Sequence, residues 1–453
     1  MKKNIFFGGV MRARYTSVVL ICAVLLSCEN LRQAVGTSSV NESTAAVSEF
    51  SLSHPDIAVL KDGSCMTVFV RGNEAGSQSI ALTRSRKNIR GWSRPADIIR
   101  TAWRAQNPAI AQLMDGLVVV LFSQSRFDEN SGKYVPIGVF MTESYDDGRT
   151  FTAPRMVIQD NGRDIQVSGS LREIDNGRMV FAAWSAAGAG GESDCFVFVS
   201  DDRGISWRKI PVFSGTMAGS ILLSNPSVIQ TEYGCVCLMQ GSDGFLYQSS
   251  ASRIDGEWPV PRRTNLEGAA PCLAFPETGT LYTLFSDTWP LGISTARSYN
   301  RGMTWEDEKP LTQGNGVYGS ISLKASGSDL FYVWLNRTSG EYSVNVRQQA
   351  ADLPRAPRGV SAALLPDSTV HIRWNTQAGV DYYVVYRGPA DSADVPGKMR
   401  MVHTAAESRY ADHSIEPGKG YWYQVTAVCG AGKLMQDTGM ESRHSKPVRI
   451  YVK

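Results

Sequence analysis

Short stretches in which apolar and polar residues alternate, each interrupted by a glycine turn, recur along most of this chain. Each has a small or Pro-containing start, alternates, turns at glycine and resumes as a second apolar run. The pattern reads HPDIAVLKDGSCMTVFV from His54, NPAIAQLMDGLVVVLF from Asn107 and SGSLREIDNGRMVFAAW from Ser168. NPSVIQTEYGCVCLM from Asn225, APCLAFPETGTLYTLF from Ala270 and YGSISLKASGSDLFYVW from Tyr318 complete six copies. Period-two alternation bounded by turn residues predicts β-strands, because successive side chains point to opposite faces. The turn glycines Gly63, Gly116, Gly177, Gly234, Gly279 and Gly327 are 53, 61, 57, 45 and 48 residues apart.

A second pattern counts the same units. SYDDGRTF at 144–151, SDDRGISW at 200–207 and SYNRGMTW at 298–305 share Ser-x-Asp/Asn-x-Gly-x-Thr/Ser-aromatic. The Asp or Asn side chain can bond the backbone of a tight turn, Gly tolerates a left-handed position, and the aromatic anchors the turn on the next layer. With degenerate copies SRKNIRGW and SRIDGEW included, Trp92, Phe151, Trp207, Trp258 and Trp305 are separated by 59, 56, 51 and 47 residues. Both periods are near 50 residues, the length of a four-stranded unit with its turns, and six such units predict radial repetition.

The octapeptide resembles the Asp box of bacterial sialidases and related propeller proteins. The resemblance implies an all-β chain, a six-bladed sialidase-like β-propeller over residues 50–350. The sixth unit lacks a box and ends near Arg347, as expected if the segment around Phe50 helps to close the ring. Residues 351–357 form a Pro-containing linker. Residues 358–453, with runs TVHIRW, YYVVYR and YWYQVTAV, resemble a fibronectin type III sandwich of seven strands. There Trp374 stands as the core Trp and Tyr421 as the corner tyrosine bonded back to the backbone.

The N-terminus reads as a secretory signal over residues 1–28, with Lys2, Lys3, Arg12 and Arg14 ahead of an apolar stretch at 16–26. That stretch is too short to span a bilayer as a mature helix. It ends in Leu25-Leu26-Ser27-Cys28, which resembles the lipoprotein box, so Cys28 is expected to be acylated. Residues 29–49, rich in Ser, Thr, Ala and Asn, suit a flexible tether. The expected address is the bacterial cell envelope, lipid-anchored at the outer membrane or cell surface. Net charge is +3 in 453 residues, with no long charged run, so nucleic acid is not an expected partner. A monomer is expected. Cys65, Cys195, Cys235, Cys237, Cys272 and Cys429 lie mostly in apolar runs as small hydrophobes, and no spacing resembles a zinc site. No cofactor or metal is implied.

In the sialidase family the active site lies on the propeller axis, opposite the Asp boxes, which makes the boxes scaffold. Three arginines clamp the substrate carboxylate, an Asp is acid/base, and a Tyr paired with a Glu is the nucleophile. Here His54 stands where the first Arg belongs, in Ser53-His54-Pro55. Pro226 takes the place of the Glu, Gln240 or Gly241 that of the second Arg, and the window 287–290 contains no third Arg. Tyr318 fits the nucleophile's place. Glu74 occupies the loop where the family's acid lies. Of the remaining axial candidates, Arg71, Arg126, Asp287 and Arg337, together with Asp128 and Asp243, follow second strands, where a clamp rebuilt from Arg71, Arg126 and Arg337 is an alternative. Losing the arginines removes charge-assisted bonds of roughly 1.5–3 kcal/mol each. The expectation is therefore an exo-acting glycoside hydrolase with altered, non-sialic-acid specificity, catalysed by Tyr318 and Glu74 and binding glycan through His54, Arg71, Arg126, Gln240, Asp287 and Arg337. The other reading is a non-catalytic glycan-binding or adhesion protein.

Overall fold

The six glycine turns each join the first two strands of a four-stranded antiparallel sheet, and all six glycines take positive φ, between 58° and 127°. The computed structural model describes residues 40–72, 78–101, 103–159, 164–174, 177–185, 193–231, 234–288, 291–298, 302–313, 317–351, 355–377, 380–390, 399–429, 440–442 and 444–452. The side chains of residues 313–319 lie outside this description, as does all of Glu74 and Cys28. Five sheets are built from consecutive strands, at 52–101, 104–158, 165–215, 223–267 and 269–313. The sixth comprises Val317–Ser326, Asp329–Thr338 and Glu341–Ala350, with Asn41–Ser48 as its outer strand.

The first strand of each sheet is the inner one. Leu52–Val59, Arg104–Gln112, Ile165–Ile174, Leu223–Thr231, Ala269–Ala274 and Val317–Ser326 each lie beside the inner strands of both neighbours, and the sixth returns to the first. Between successive sheets sit six apolar clusters, such as Leu121, Met141, Phe181 and Phe198 between the second and third. A seventh cluster, around Trp374, Tyr383 and Tyr423, belongs to the C-terminal part. Asn41–Lys453 form one compact unit.

The Asp boxes act as staples between sheets. Ser144 Oγ donates to Asp146 (2.8 Å) and accepts the Gly148 N–H (2.7 Å), while the Thr150 N–H (2.8 Å) and hydroxyl (2.6 Å) donate to Asp146. Ser200, Asp202, Gly204 and Ser206 repeat these bonds. The Thr150 and Ser206 bonds hold the Asp146 and Asp202 carboxyls well below the ordinary range, Asp202 at about 2. Gly148 has φ 71°, and a Cβ there would stand 2.9 Å from Met66 Sδ of the preceding sheet. Phe151, Trp207, Trp258 and Trp305 pack into the clusters shared with the preceding sheet.

Two expectations change. Residues 41–48, expected within a flexible tether, form a full strand paired along Glu341–Ala350 and tied by the Glu42–Arg347 ion pair at 2.7 Å. The closing strand thus precedes Phe50, which is exposed. A strand needs only backbone donors and acceptors from its partner, so a Ser/Thr/Ala composition does not preclude one.

In the C-terminal part, a three-stranded sheet (Ser361–Leu364, Val370–Arg373, Arg409–Asp412) faces a larger one of Tyr382–Pro389, Arg400–Ala405, Gly420–Cys429, Met440–Glu441 and Val448–Tyr451. The last two segments both pair with Gly420–Cys429, so eight segments occupy seven strand positions. The Tyr421 hydroxyl accepts the Glu416 N–H at 3.1 Å, and Trp374 lies edge-on to Tyr383.

Candidate functional site

All six inner strands break register near their starts. At His54, Asn107, Gly169, Asn225, Ala270 and Ser320 φ is 50°, 50°, 64°, 47°, 48° and 44°. Each residue falls within a register shift between inner and second strand. A bulge leaves one residue unpaired and re-aims its side chain. Holding a non-glycine residue left-handed costs roughly 1–2 kcal/mol, so five such residues in one ring represent substantial stored strain. All six line a single cavity of about 450 Å³ on the axis of the ring.

Polar groups around this cavity are linked. Asn107 Nδ2 donates to Gln166 Oε1 (3.1 Å), and Gln166 Nε2 donates to Asp164 Oδ1 (2.6 Å). Burial raises the pKa of the Asp164 carboxyl, although the Gln166 bond and the Arg104 charge work against it. Burial, reinforced by Arg104, lowers the His54 imidazole to about 4, so it is neutral at pH 7. His54 Nδ1 is buried with no protein partner while its residue lines the cavity. A buried polar atom of this kind calls for a partner from a ligand or water.

One wall is aromatic. Tyr134 lines the cavity and lies edge-on to Phe127, ring centroids 5.4 Å apart, both more than half exposed. The Arg104 guanidinium stands 4.9 Å from the Tyr134 ring, and Trp184 lines the cavity from the third sheet. Sugars present CH faces to such rings and hydroxyls to amides and carboxylates, and this site offers both kinds of surface. Asp56 also touches the cavity but is committed: Oδ2 accepts the Ile110 N–H (2.8 Å) and faces Lys324 Nζ (3.5 Å), and Oδ1 accepts the Ser322 hydroxyl.

Of the residues singled out from sequence, His54 lines the cavity. Gln240 stands behind it, accepting Asn225 Nδ2 (3.0 Å) and the Ala270 N–H (3.1 Å), and so supports two positions of the bulged ring. Arg71, Arg126, Asp287 and Arg337 are not among its lining residues. Arg71 pairs with Asp97, Arg126 is exposed, and Arg337 lies 5.0 Å from the Tyr342 ring. Asp287 accepts the Ser294 hydroxyl at 3.0 Å, with its pKa raised by burial. A clamp of Arg71, Arg126 and Arg337 is therefore not assembled at this cavity. Asp128 binds its own turn and Asp243 the Tyr247 hydroxyl. The backbone of Tyr318 pairs with Asn336 two residues before the bulge at Ser320, while its side chain, Glu74 and Cys28 lie outside the described residues. Sequence reasoning missed Arg104, Asn107, Tyr134, Asp164, Gln166, Trp184 and Asn225.

The BNR repeat-like domain family matches residues 63–269. No curated protein matches in sequence. Among solved structures, a protein of unknown function from Dyadobacter fermentans is 16% identical with a TM-score of 0.61, over 69% of this chain and 99% of that one. A Hadza microbial sialidase is 17% identical with a TM-score of 0.52, over 67% of this chain and 66% of that one. Trypanosoma rangeli sialidase in complex with sialic acid is 12% identical with a TM-score of 0.52, over 84% of this chain and 82% of that one. At such identities the likeness speaks for the fold alone: residues 63–269 resemble the BNR repeat-like domain, and the chain has an all-β, sialidase-like fold.

Proposed function

We propose that the axial cavity takes the terminal sugar of a glycan, that this sugar carries no carboxylate, and that the chain acts as an exo-acting glycoside hydrolase. The observation that carries this reading is the ligand-facing set itself. Among the described lining residues there is a single guanidinium, Arg104, beside a carboxyl, Asp164, and a neutral imidazole, His54. A carboxylate placed here would meet one arginine instead of three and would face Asp164. A neutral sugar would instead donate and accept hydroxyl bonds with Asp164, Gln166, Asn107 and His54. A carboxyl with a raised pKa suits proton donation to a leaving group, so Asp164 is assigned as the acid and Tyr318 as the nucleophile.

A second reading, glycan binding without cleavage, is favoured by one observation. Hydrolysis by paired carboxyls needs two free ones, and both oxygens of Asp56 are engaged. A panel of neutral and sialylated aryl glycosides, offered to the purified protein and to Asp164→Asn, separates the two. Release of a neutral sugar that Asp164→Asn abolishes supports hydrolysis. Binding without release by either protein supports the second reading, and efficient release of sialic acid contradicts both.

The same reading covers the architecture and address of the chain. The six sheets are the blades of a β-propeller closed by residues 41–48, followed by a linker at 351–357 and a fibronectin type III spacer at 358–453. Cys28 is acylated and becomes the first residue of the mature protein when the segment preceding it is removed, and the monomeric protein displays its pocket from the bacterial envelope toward glycans rather than nucleic acid. Replacement of Cys28 by Ala should move the protein out of the membrane fraction; retention there would count against the anchor.

A further inference from the structure

The C-terminal part carries a groove that shares no lining residue with the axial cavity. Its volume is about 540 Å³, and it lies where the Arg400–Ala405 strand of one sheet leads into the Arg409–Asp412 strand of the other. Residues 358–453 hold 12 Lys and Arg against 9 Asp and Glu, so they account for the whole net charge of +3, and they hold four of the five histidines. The groove concentrates that excess. His371, Arg373, His403 and Arg409 line it, and Glu407 is the one carboxylate among its lining residues.

Strand register explains how the cations meet. Ile372 is fully buried in the C-terminal core, so His371 and Arg373 on either side of it turn to the outer face. Arg373 stands directly opposite Arg409 on the adjacent strand. Like charges so placed repel each other and weaken a sheet. Glu407 relieves Arg409 at 2.6 Å, in a pair that is mostly exposed, and among the described residues Arg373 has no acidic partner. Asp367, near His371, is taken up by Thr369, accepting its N–H (3.1 Å) and its hydroxyl (2.6 Å). His403 lies flat on Tyr410, ring centroids 4.4 Å and planes 15° apart. None of the exposed large apolar side chains lines the groove, so it offers nothing to enter a bilayer.

We propose that this groove binds a glycan carrying sulfate or phosphate esters, which makes the C-terminal part a second ligand-binding module and more than a spacer. Guanidinium forks match tetrahedral oxyanions, and an ester group between Arg373 and Arg409 would offset the repulsion that their register creates. The His403–Tyr410 pair supplies a flat surface for a sugar ring. The site is separate from the axial cavity, so it stands or falls independently of the reading given there.

Titration calorimetry with sulfated, phosphorylated and uncharged dextran oligosaccharides of equal length tests this. At least one of the two charged forms is expected to bind and the uncharged form is not, with affinity falling as salt rises, since the groove is open to solvent. Arg373→Gln should weaken binding roughly ten-fold, the loss of one charge-assisted bond. His403→Ala should weaken it several-fold. Arg262→Gln, the same change of charge on an exposed residue of the fourth sheet, should leave it unaltered. Free sulfate and phosphate should compete only weakly, because neither reaches the rings. No binding of either charged form, or equal losses in Arg373→Gln and Arg262→Gln, overturns the proposal. So does binding of vesicles rich in anionic lipid in preference to the oligosaccharides.

Discussion

His54 and Asp164 bear on the chemistry of the pocket through opposite effects of burial. Desolvation favours the neutral form of each, lowering the imidazole and raising the carboxyl. For His54 the folded pKa of about 4 lies below the ordinary 6.5. Its contribution to stability is therefore complete above about pH 6.5 and is lost as pH falls toward 4, up to about 3 kcal/mol in all. His54→Gln should remove that part of the acid destabilisation, which urea midpoints at several pH values would reveal; an unchanged pH profile would speak against a buried neutral imidazole. Asp164 works in the other direction: as a proton donor it is active while protonated, so release of sugar should decline as pH rises through its raised pKa. On the binding side, Tyr134→Ala should weaken glycan affinity by roughly 1 kcal/mol, the worth of an exposed aromatic contact, without lowering the melting temperature. Titration calorimetry beside a thermal melt checks both halves of that statement.

The strands and turns were readable from sequence because their determinants are local. Alternation marks the strands, glycine marks the turns between first and second strands, and the boxes carry their own hydrogen-bond partners four residues apart. The same locality makes their role testable. Gly204→Ala places a Cβ at φ 81° and 2.8 Å from Met141 Sδ, so it should cost about 1–3 kcal/mol of stability. Denaturant unfolding would measure it, and affinity at the axial pocket should be unchanged because the boxes are scaffold. The strand at 41–48 was not readable in this way. Its Ala45 and Ala46 are buried only because Glu341–Ala350, some 300 residues later, lies alongside, and nothing in NESTAAVS foretells that partner.

At the scale of the whole molecule, six similar units meet at one axis, and the site exists only where they meet. The bulged ring was half visible: the strand starts at His54, Asn107, Asn225 and Ala270 are each followed by proline, and aligning them superposes the residues that turn inward. Arg104, Tyr134 and Asp164 reach the cavity from segments outside that repeat, and Trp184 from the far end of its third copy, so the aligned strand starts do not point to them. Charges such as Arg71 and Arg337 look equivalent in sequence, yet neighbouring groups within their own sheets take them up. Closure is likewise a property of the whole. A chain beginning after Ser48 leaves the edge of Glu341–Ala350 unpaired, and it should melt lower and aggregate more readily than the intact protein in a heating scan followed by light scattering.

The central claim, that the axial pocket takes a sugar without a carboxylate, is tested most directly by titrating Asp164→Asn with neutral monosaccharides and with sialic acid. A variant unable to protonate the leaving group allows affinity to be read without turnover. At least one neutral sugar should still bind more tightly than sialic acid, and that binding should be weakened by His54→Ala. Preferential binding of sialic acid, or neutral binding indifferent to His54, would contradict the account.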